Sequence, residues 1–197
     1  MSNSSSRPAT RRNAILDAAT EIFAARGYDG ASVREISERV GITKGNLTYH
    51  FAVKEDLLFE ILNEVHDDFL LLAQGWSSLE GKKPDDLVRT AFREHALLVA
   101  THIDATRLMF EATRHFSPDQ HAILLQKRDG YERAVRILIA RCRPELGSPS
   151  NRGVKLRTRA VLGMLSWHYH WYDPAGPVKP PALADLIADM AICALRA

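Results

Sequence analysis

The sequence has few of the features that mark a secreted or membrane-bound protein. It contains only two cysteines, Cys142 and Cys193, too few for a disulfide framework or a cysteine metal cluster. No apolar run approaches the roughly 20 residues that cross a bilayer. The N-terminus is polar and serine-rich, unlike a signal peptide. These absences predict a cytoplasmic protein with no membrane partner.

Motifs that support catalysis are also missing. The chain has no Gly-rich phosphate loop, no G-x-S-x-G turn and no zinc-protease motif. Eight histidines raise the question of a metal site. However, no H-x-x-x-H pair occurs, and His168 and His170, two residues apart, would point to different sides of a helix. We therefore expect no catalytic residue, no cofactor and no bound metal.

The net charge of +2 is unevenly distributed along the chain. Residues 1–54 hold eight basic and five acidic side chains, a net charge of +3. The other 143 residues hold 18 basic and 19 acidic side chains, a net charge of −1. A basic excess in one segment is what a phosphate-facing surface requires, although this excess is small.

Apolar residues recur at helical spacing, and no alternating strand pattern or internal repeat is present, so the sequence predicts an all-α fold of about nine helices. Residues 1–9 have little to bury and are expected to form a disordered tail. The predicted helices cover residues 10–27, 33–40, 43–50, 54–77, 84–101, 104–115, 118–141, 153–172 and 181–195.

Residues 32–54 contain the most informative pattern. Ser32 and Glu35 form a predicted capping box, Gly41 provides a helix stop, and Thr43 caps a short second helix. Two helices joined by a tight glycine turn are typical of a helix-turn-helix, whose second helix enters the DNA major groove. The alternative is a small helical hairpin inside a larger helical core.

Residues 11–58 resemble the DNA-binding domain of the tetracycline-repressor (TetR) family along their whole length. The resemblance rests on Ile15-Leu16, Ala18-Ala19, Phe23, Gly27-Tyr28, the segment 32–36, Gly41-Ile42-Thr43-Lys44-Gly45, Phe51, Lys54-Glu55 and Leu57-Leu58. It implies a helix-turn-helix domain over residues 10–53 and a ligand-binding and dimerisation domain over residues 54–197. The implied DNA-binding residues are Ser32, Thr43, Lys44, Asn46, Thr48, Tyr49, His50 and Lys54. The family uses a lysine at the position of Lys54 to hold a phosphate. It often has tyrosine at the position of Thr48, whereas here a tyrosine follows one residue later, at Tyr49.

In the second domain, the resemblance places a ligand cavity among helices four to seven and a dimer interface on the last two helices. The expected cavity residues are Phe69, Trp76, Phe92, His95, Leu98, His102, Met109 and Phe110. The expected interface residues are Val161, Leu165, Trp167, His168, Leu183, Leu186, Ile187 and Met190. The aromatic segment 167–172 would lie on one continuous helix, either filling the interface or facing the ligand.

The resemblance therefore implies a transcriptional regulator, usually a repressor in this family. As a homodimer it would bind a near-palindromic double-stranded DNA operator and be released by an unknown small-molecule effector. Two alternatives remain open from the residues alone. One is a helical ligand-binding or enzyme-like protein that retains the scaffold, and the other is a non-specific nucleic-acid-binding protein.

Overall fold

The computed structural model describes residues 11–76, 81, 83–111 and 115–196. Within these residues the chain forms nine α-helices and no β-strand, which confirms the predicted all-α fold. They are α1 (Arg11–Gly30), α2 (Val33–Val40), α3 (Lys44–His50), α4 (Lys54–Gly75), α5 (Pro84–Thr101), α6 (Ile103–Glu111), α7 (Pro118–Cys142), α8 (Arg152–Ser166) and α9 (Pro180–Arg196). The predicted tail, 1–9, and residue 10, where the first helix is predicted to begin, lie outside the described residues. None of the described helices is long and apolar enough to cross a membrane.

Local capping sets the ends of the first three helices. Gly27 has φ 72° and interrupts α1 where the sequence predicted a stop. The Ser32 hydroxyl accepts a hydrogen bond from the Glu35 N–H at 3.2 Å, so this half of the predicted capping box is present. The Glu35 carboxylate pairs with the Arg26 guanidinium at 2.9 Å. Gly41, at φ 71°, ends α2 in the left-handed conformation that favours glycine.

Helix α4 connects the two halves of the molecule. It contacts α1 on one side and α5, α6 and α7 on the other. Arg12 of α1 donates to Glu60 at 2.5 Å and to Glu64 at 2.8 Å, and its guanidinium lies 5.5 Å from the centre of the Phe51 ring. The N-terminal helices are therefore held directly against the helix that runs into the second half.

The last helix packs along α5. Arg89 pairs with Asp189 at 2.7 Å, and Arg93 pairs with Asp185 at 2.9 Å, so ionic contacts flank this packing. The inner face of α9 is fully covered within one chain, as Ala184, Ala188 and Ala191 are all 0% exposed. The small alanine side chains allow α9 to lie close to its neighbours.

The prediction of one continuous helix over residues 153–172 is wrong. Helix α8 ends at Ser166, and a 3₁₀ turn covers Trp167–His170. The tighter turn buries His168, which is 1% exposed, and leaves Trp167 and Trp171 57% and 58% exposed. Tyr172 is also buried, and its hydroxyl donates to the Val178 carbonyl at 2.9 Å. The change from α-helix to 3₁₀ turn therefore goes together with burial of the His168 and Tyr172 side chains.

The glycine that ends α2 provides a test of this local structure. Gly41→Ala should lower the free energy of unfolding by about 1–2 kcal/mol, because alanine is strained at positive φ. The space itself is open, since no atom lies within 4 Å of the Cβ that alanine would add. Urea unfolding followed by circular dichroism measures the change.

Gly45→Ala is the matched control for Gly41→Ala. Gly45 lies inside α3, and its added Cβ would meet only the Thr43 hydroxyl at 3.8 Å. Since alanine favours helix, this variant should be neutral or more stable by up to about 1 kcal/mol. Equal destabilisation by both substitutions would contradict a role for the left-handed conformation.

Candidate nucleic-acid interface and internal cavity

Helix α3 is held by a single buried side chain. Leu47 is 1% exposed, whereas Tyr49 is 87% exposed. The hydroxyl of Thr43 accepts a hydrogen bond from the Asn46 N–H at 3.1 Å and so begins the helix as predicted. The predicted DNA-binding residues of this segment are all exposed, namely Thr43, Lys44, Asn46, Thr48, Tyr49 and His50. The short helix therefore presents a continuous polar surface to solvent.

Two of these side chains are turned toward neighbours on the same helix. The Thr48 hydroxyl donates to the carbonyls of Lys44 and Gly45, at 3.1 and 3.0 Å. The Tyr49 ring lies edge-on to the His50 ring, with 5.5 Å between centroids. Lys44 and Asn46 carry the amine and amide groups best suited to hydrogen bonding with base edges.

Lys54 does not extend freely from the start of α4. Its ammonium donates to the carbonyls of Tyr28 and Ala31, at 2.8 and 3.1 Å, and lies 4.1 Å from the centre of the Tyr28 ring. An ammonium has three N–H donors, so one hydrogen remains beyond these two bonds. Lys54 thus fastens the corner between α1 and α2 to α4, a role that the sequence did not reveal. Its phosphate contact stays a prediction.

The same corner also meets the second half of the chain. The ring of His115 lies 4.2 Å from that of Tyr28, and its Nε2 lies 3.7 Å from the Asp29 carboxylate. Phe116 faces Phe59 of α4, with 6.4 Å between ring centroids. Residues that follow α6 are therefore in contact with both α1 and α4.

The second half encloses a cavity of about 780 Å³ between α4, α5, α6, α7, α8 and the 3₁₀ turn. Its lining is mostly apolar. The lining residues are Leu62, His66, Phe69, His95, Met109, Phe110, Phe116, His121, Leu124, Leu125, Arg128, Tyr131, Glu132, Arg159, Leu162, Gly163, Ser166, Trp167 and Tyr169. This volume and character are those of a small-molecule site.

Half of the predicted ligand-binding residues line this cavity: Phe69, His95, Met109 and Phe110. The other four do not line it, and a ligand contact by them stays a prediction. Phe92 is core at 1% exposed, and Trp76 is buried with its indole N–H on Glu94 at 3.1 Å. Leu98 and His102 also lie outside the lining, and His102 is exposed. Helix α5 also packs against α7, α8 and α9. Among its described residues, His95 lines this cavity.

Sequence reasoning missed the contributions of α7 and α8. On α7 the lining residues are His121, Leu124, Leu125, Arg128, Tyr131 and Glu132. On α8 they are Arg159, Leu162, Gly163 and Ser166. Both sets follow helical spacing of three, four and seven residues, which defines one face of a helix. That signal was available, but it does not tell which face of a helix meets a cavity.

A buried polar chain crosses the cavity wall. His95 Nδ1 lies 2.8 Å from the Tyr131 hydroxyl, and His95 Nε2 lies 3.0 Å from the Ser166 hydroxyl. Burial lowers the pKa of His95 to about 3, with a smaller contribution from His168. Burial also raises the pKa of Tyr131 well above its usual range. All three groups are therefore uncharged at neutral pH.

His168 is buried just outside this cavity. Burial lowers its pKa to about 4, and the carbonyls of Ala96 and Leu165 oppose that change only in part. Neither ring nitrogen completes a hydrogen bond of good geometry with a described residue. The His168 ring, predicted to lie at a dimer interface, is enclosed by its own chain.

Four other predicted interface residues are also buried inside the protomer: Val161, Leu165, Leu183 and Ile187 are 1–8% exposed. Leu186 and Met190 are 58% and 55% exposed and lie one turn apart on the outer face of α9. Leu156 and Met164 expose further apolar surface on α8, at 58% and 36%. Trp167, also exposed, lines the mouth of the cavity.

Among the described residues, no three His, Cys, Asp or Glu side chains are grouped so that they could hold a metal ion.

Comparison with known proteins identifies both halves of the chain. Residues 15–61 match the family described as "Bacterial regulatory proteins, tetR family", and residues 81–195 match "Tetracyclin repressor-like, C-terminal domain". The HTH-type transcriptional repressor KstR2 of Rhodococcus jostii is 27% identical over 180 residues, which cover 88% of this chain and 85% of that protein. KstR2 of Mycolicibacterium smegmatis is 40% identical over 62 residues, which cover 32% of this chain and 30% of that protein.

Solved structures with the same fold include two with informative descriptions. The TetR family transcriptional regulator PfmR of Thermus thermophilus has a TM-score of 0.80 at 27% identity, covering 91% of this chain and 97% of that chain. AibR in complex with isovaleryl coenzyme A and operator DNA has a TM-score of 0.76, covering 92% and 97% of the two chains. At 24% identity, AibR shows the fold alone.

Three buried histidines, His66, His95 and His168, predict a specific loss of stability in acid, because burial lowers the pKa of each. The pKa values of His95 and His168, about 3 and about 4, lie below the 6.5 of an unfolded histidine, so below pH 6.5 the unfolded state binds more protons. The free energy of unfolding should therefore fall as the pH drops from about 6.5 toward 4. His95→Gln should reduce this slope by up to about 1.4 kcal/mol per pH unit, the effect of one proton.

Urea unfolding at half-unit steps of pH measures this slope. His170→Gln is the matched control, because His170 is exposed, and it should leave the slope as in the wild type. A slope unchanged by His95→Gln would mean that His95 is not held neutral in the folded protein.

Proposed function

The chain belongs to the TetR family of transcriptional regulators, and from that premise we propose how it binds DNA and how a ligand releases it. It is a DNA-binding repressor that responds to a small molecule. The observation that carries the proposal is the combination of an exposed polar α3 with a mostly apolar cavity that opens to solvent at its mouth, joined by α4.

We propose that α3 enters the major groove and that Lys44 and Asn46 contact base edges there. Both side chains are exposed near the start of the helix, and Gly45 between them adds no bulk. Thr43, Thr48, Tyr49 and His50 would contact the DNA backbone around them. The Ser32 hydroxyl caps α2 and would contribute from the neighbouring helix start, where N–H groups favour a phosphate.

The partner in this proposal is a second copy of the chain. Leu156, Met164, Leu186 and Met190 form an exposed apolar surface on α8 and α9, the helices that the family uses for dimerisation. Two-fold pairing through this surface would present two copies of α3 to successive major grooves of a near-palindromic operator.

The effector would act by changing the spacing of the two recognition helices. Leu62, His66 and Phe69 of α4 line the cavity, and Lys54 at the start of the same helix holds the DNA-binding half. A ligand that favours one position of α4 therefore favours one position of α3. The description of AibR, with isovaleryl coenzyme A and operator DNA, supports a scaffold that binds both kinds of partner.

We propose that the cavity binds its ligand without transforming it. Tyr131, His95 and Ser166 resemble a base and hydroxyl pair, but a histidine with a pKa of about 3 is a poor proton acceptor at neutral pH. The relatives named above are described as transcriptional repressors or regulators. The regulator would act in the cytoplasm, where its operator lies.

Selection of bound fragments from a random DNA library, followed by footprinting, tests this function. We expect one near-palindromic sequence whose two half-sites are about one helical turn apart. Binding without sequence preference would favour the non-specific alternative. Ligand binding with no DNA binding at any salt concentration would favour the enzyme-like or purely ligand-binding alternative.

Two substitutions should weaken DNA binding in different ways. Asn46→Ala should cost about 1–3 kcal/mol per half-site on the selected operator and relax the preference at one base pair. Lys54→Ala should weaken binding to all sequences alike and reduce the salt dependence by roughly one contact per subunit. Titrations on operator and scrambled DNA at several salt concentrations measure both effects.

Because Lys54 also holds two carbonyls of its own chain, the melting temperature of Lys54→Ala must be recorded beside its affinity. Thr101→Ala, on the exposed end of α5, is a control that should match the wild type in both assays. Operator binding as tight as wild type by both test variants would contradict the proposed interface.

The proposed dimer surface predicts different outcomes for substitutions at neighbouring residues of α9. Leu186→Glu combined with Met190→Glu should give a folded monomer of 22.1 kDa with weakened operator binding, because both side chains are exposed on α9. Ile187→Glu should unfold the protein instead, since Ile187 is 8% exposed within the protomer. Light scattering and circular dichroism distinguish the two outcomes, and a monomeric wild type would contradict the proposed assembly.

A further inference from the structure

The polar chain in the cavity wall is built from three helices. His95 belongs to α5, Tyr131 to α7, and Ser166 ends α8, and all three line the cavity. His95 and Tyr131 are 4% and 7% exposed, so their polar atoms have lost almost all contact with bulk water. The Phe69 ring packs on both, with centroid distances of 4.9 and 5.2 Å. The packing holds this group in one position.

The hydrogen-bonded group of His95, Tyr131 and Ser166 has one more hydrogen than its own hydrogen bonds use. A neutral imidazole carries one N–H, and each hydroxyl carries one O–H. Three hydrogens therefore serve the two hydrogen bonds of His95, one to each hydroxyl. If Tyr131 donates to Nδ1, Nε2 donates to Ser166 and the serine O–H is left over. In the other tautomer, the tyrosine O–H is left over.

This surplus hydrogen makes the chain an adaptable contact for a ligand oxygen. In either tautomer one terminal hydroxyl can donate, while the other keeps lone pairs that can accept. A carbonyl oxygen uses the donor alone. An alcohol uses either the donor or the acceptor. The two tautomers therefore fit both kinds of uncharged oxygen without moving a heavy atom.

The charged side chains of the lining lie elsewhere. Arg128 and Arg159 are 64% and 69% exposed, which places them at the mouth of the cavity. Glu132 is paired with Arg159 at 3.4 Å. The other buried histidine of the wall, His66, has Nδ1 2.7 Å from the Leu62 carbonyl. Because a carbonyl only accepts, Nδ1 carries the hydrogen and Nε2 is an uncharged acceptor.

We propose that the cavity binds a largely apolar molecule that places an uncharged oxygen, a ketone, ester carbonyl or alcohol, against Tyr131 and Ser166. Any charged group of that molecule lies at the mouth. The proposal rests on the proposed function, since it specifies the chemical class of the effector. A carboxylate or phosphate at this depth would lose its hydration and meet no described cation. A hydrocarbon would leave the surplus O–H without an acceptor.

A set of probes that differ only in one group tests this class. Calorimetric titration of the wild-type protein at pH 7.5 uses 4-phenylcyclohexanone, 4-phenylcyclohexanol, 4-phenylcyclohexanecarboxylate and phenylcyclohexane. We expect the ketone and the alcohol to bind saturably at one site per chain. The carboxylate should bind at least about ten-fold more weakly than the ketone, because its charge would be buried without a partner.

Variants then test whether the probes bind at the hydrogen-bonded group of Tyr131, His95 and Ser166. Tyr131→Phe combined with Ser166→Ala removes both terminal hydroxyls and should weaken ketone binding about 3- to 10-fold, the effect of one neutral hydrogen bond. Binding of phenylcyclohexane should change less than about 2-fold. Ser166→Ala alone, a milder change, should show a smaller loss, because Tyr131 can still donate in one tautomer.

Tyr172→Phe is the matched control. It removes a buried tyrosine hydroxyl that bonds the Val178 carbonyl, and Tyr172 does not line the cavity. This variant should bind the ketone as the wild type does. Circular dichroism confirms that each variant is folded before titration.

Three results would overturn the inference: equal affinity for the carboxylate and the ketone, unchanged ketone affinity in the folded double variant, or no saturable binding of any neutral probe. Operator binding is measured separately on the selected DNA without a probe. Absence of operator binding would contradict the proposed function, whereas the calorimetric titrations would still test the class of ligand. The failure of one claim can therefore be told from the failure of the other.

Discussion

One helix, α4, is packed against both halves of this protein, and that constraint governs how the rest is arranged. At its start Lys54 holds the carbonyls of Tyr28 and Ala31, and further along Glu60 and Glu64 hold Arg12. These are charge-assisted hydrogen bonds between partly buried groups, which are stronger and more directional than neutral ones. The DNA-binding half is therefore anchored to α4 at two points. The same helix forms one wall of the cavity, which is why we propose α4 as the link between the cavity and α3.

The cavity itself reflects a balance between apolar burial and polar satisfaction. Six segments of the chain surround about 780 Å³ without filling it, although a protein of this size could pack a solid core. Within that apolar wall, His95, Tyr131 and Ser166 satisfy one another with a hydrogen to spare. His168 lies nearby with no such arrangement, and it remains uncharged because burial disfavours the protonated ring. The part of the wall around His95, Tyr131 and Ser166 is thus polar yet uncharged, which suits recognition of a neutral group.

The surfaces left exposed by a single chain differ in chemistry according to position. The face of α3 is polar, with Leu47 as its anchor, whereas the outer face of α8 and α9 is apolar, with Leu186 and Met190 exposed. A polar surface of Thr, Lys and Asn side chains has hydrogen-bonding groups for DNA. An apolar face is instead stabilised by covering it with another protein surface. The two surfaces therefore suit the two contacts proposed above, α3 with DNA and α8 and α9 with a second copy of the chain.

The sequence by itself determined the helices, their main starts and stops, and the identity of the DNA-binding segment. Ser32, Gly41 and Thr43 act on residues three or four positions away, so their effect can be read from local order. Tertiary structure decided the rest. It turned Val161, Leu165, His168, Leu183 and Ile187 inward, ended α8 at Ser166 and selected His95 rather than Phe92 for the cavity. Helical spacing shows which residues share a face, but the neighbour that each face meets depends on contacts between residues far apart in sequence. Lys54 is the clearest example, because its carbonyl partners lie 26 and 23 residues earlier in the chain.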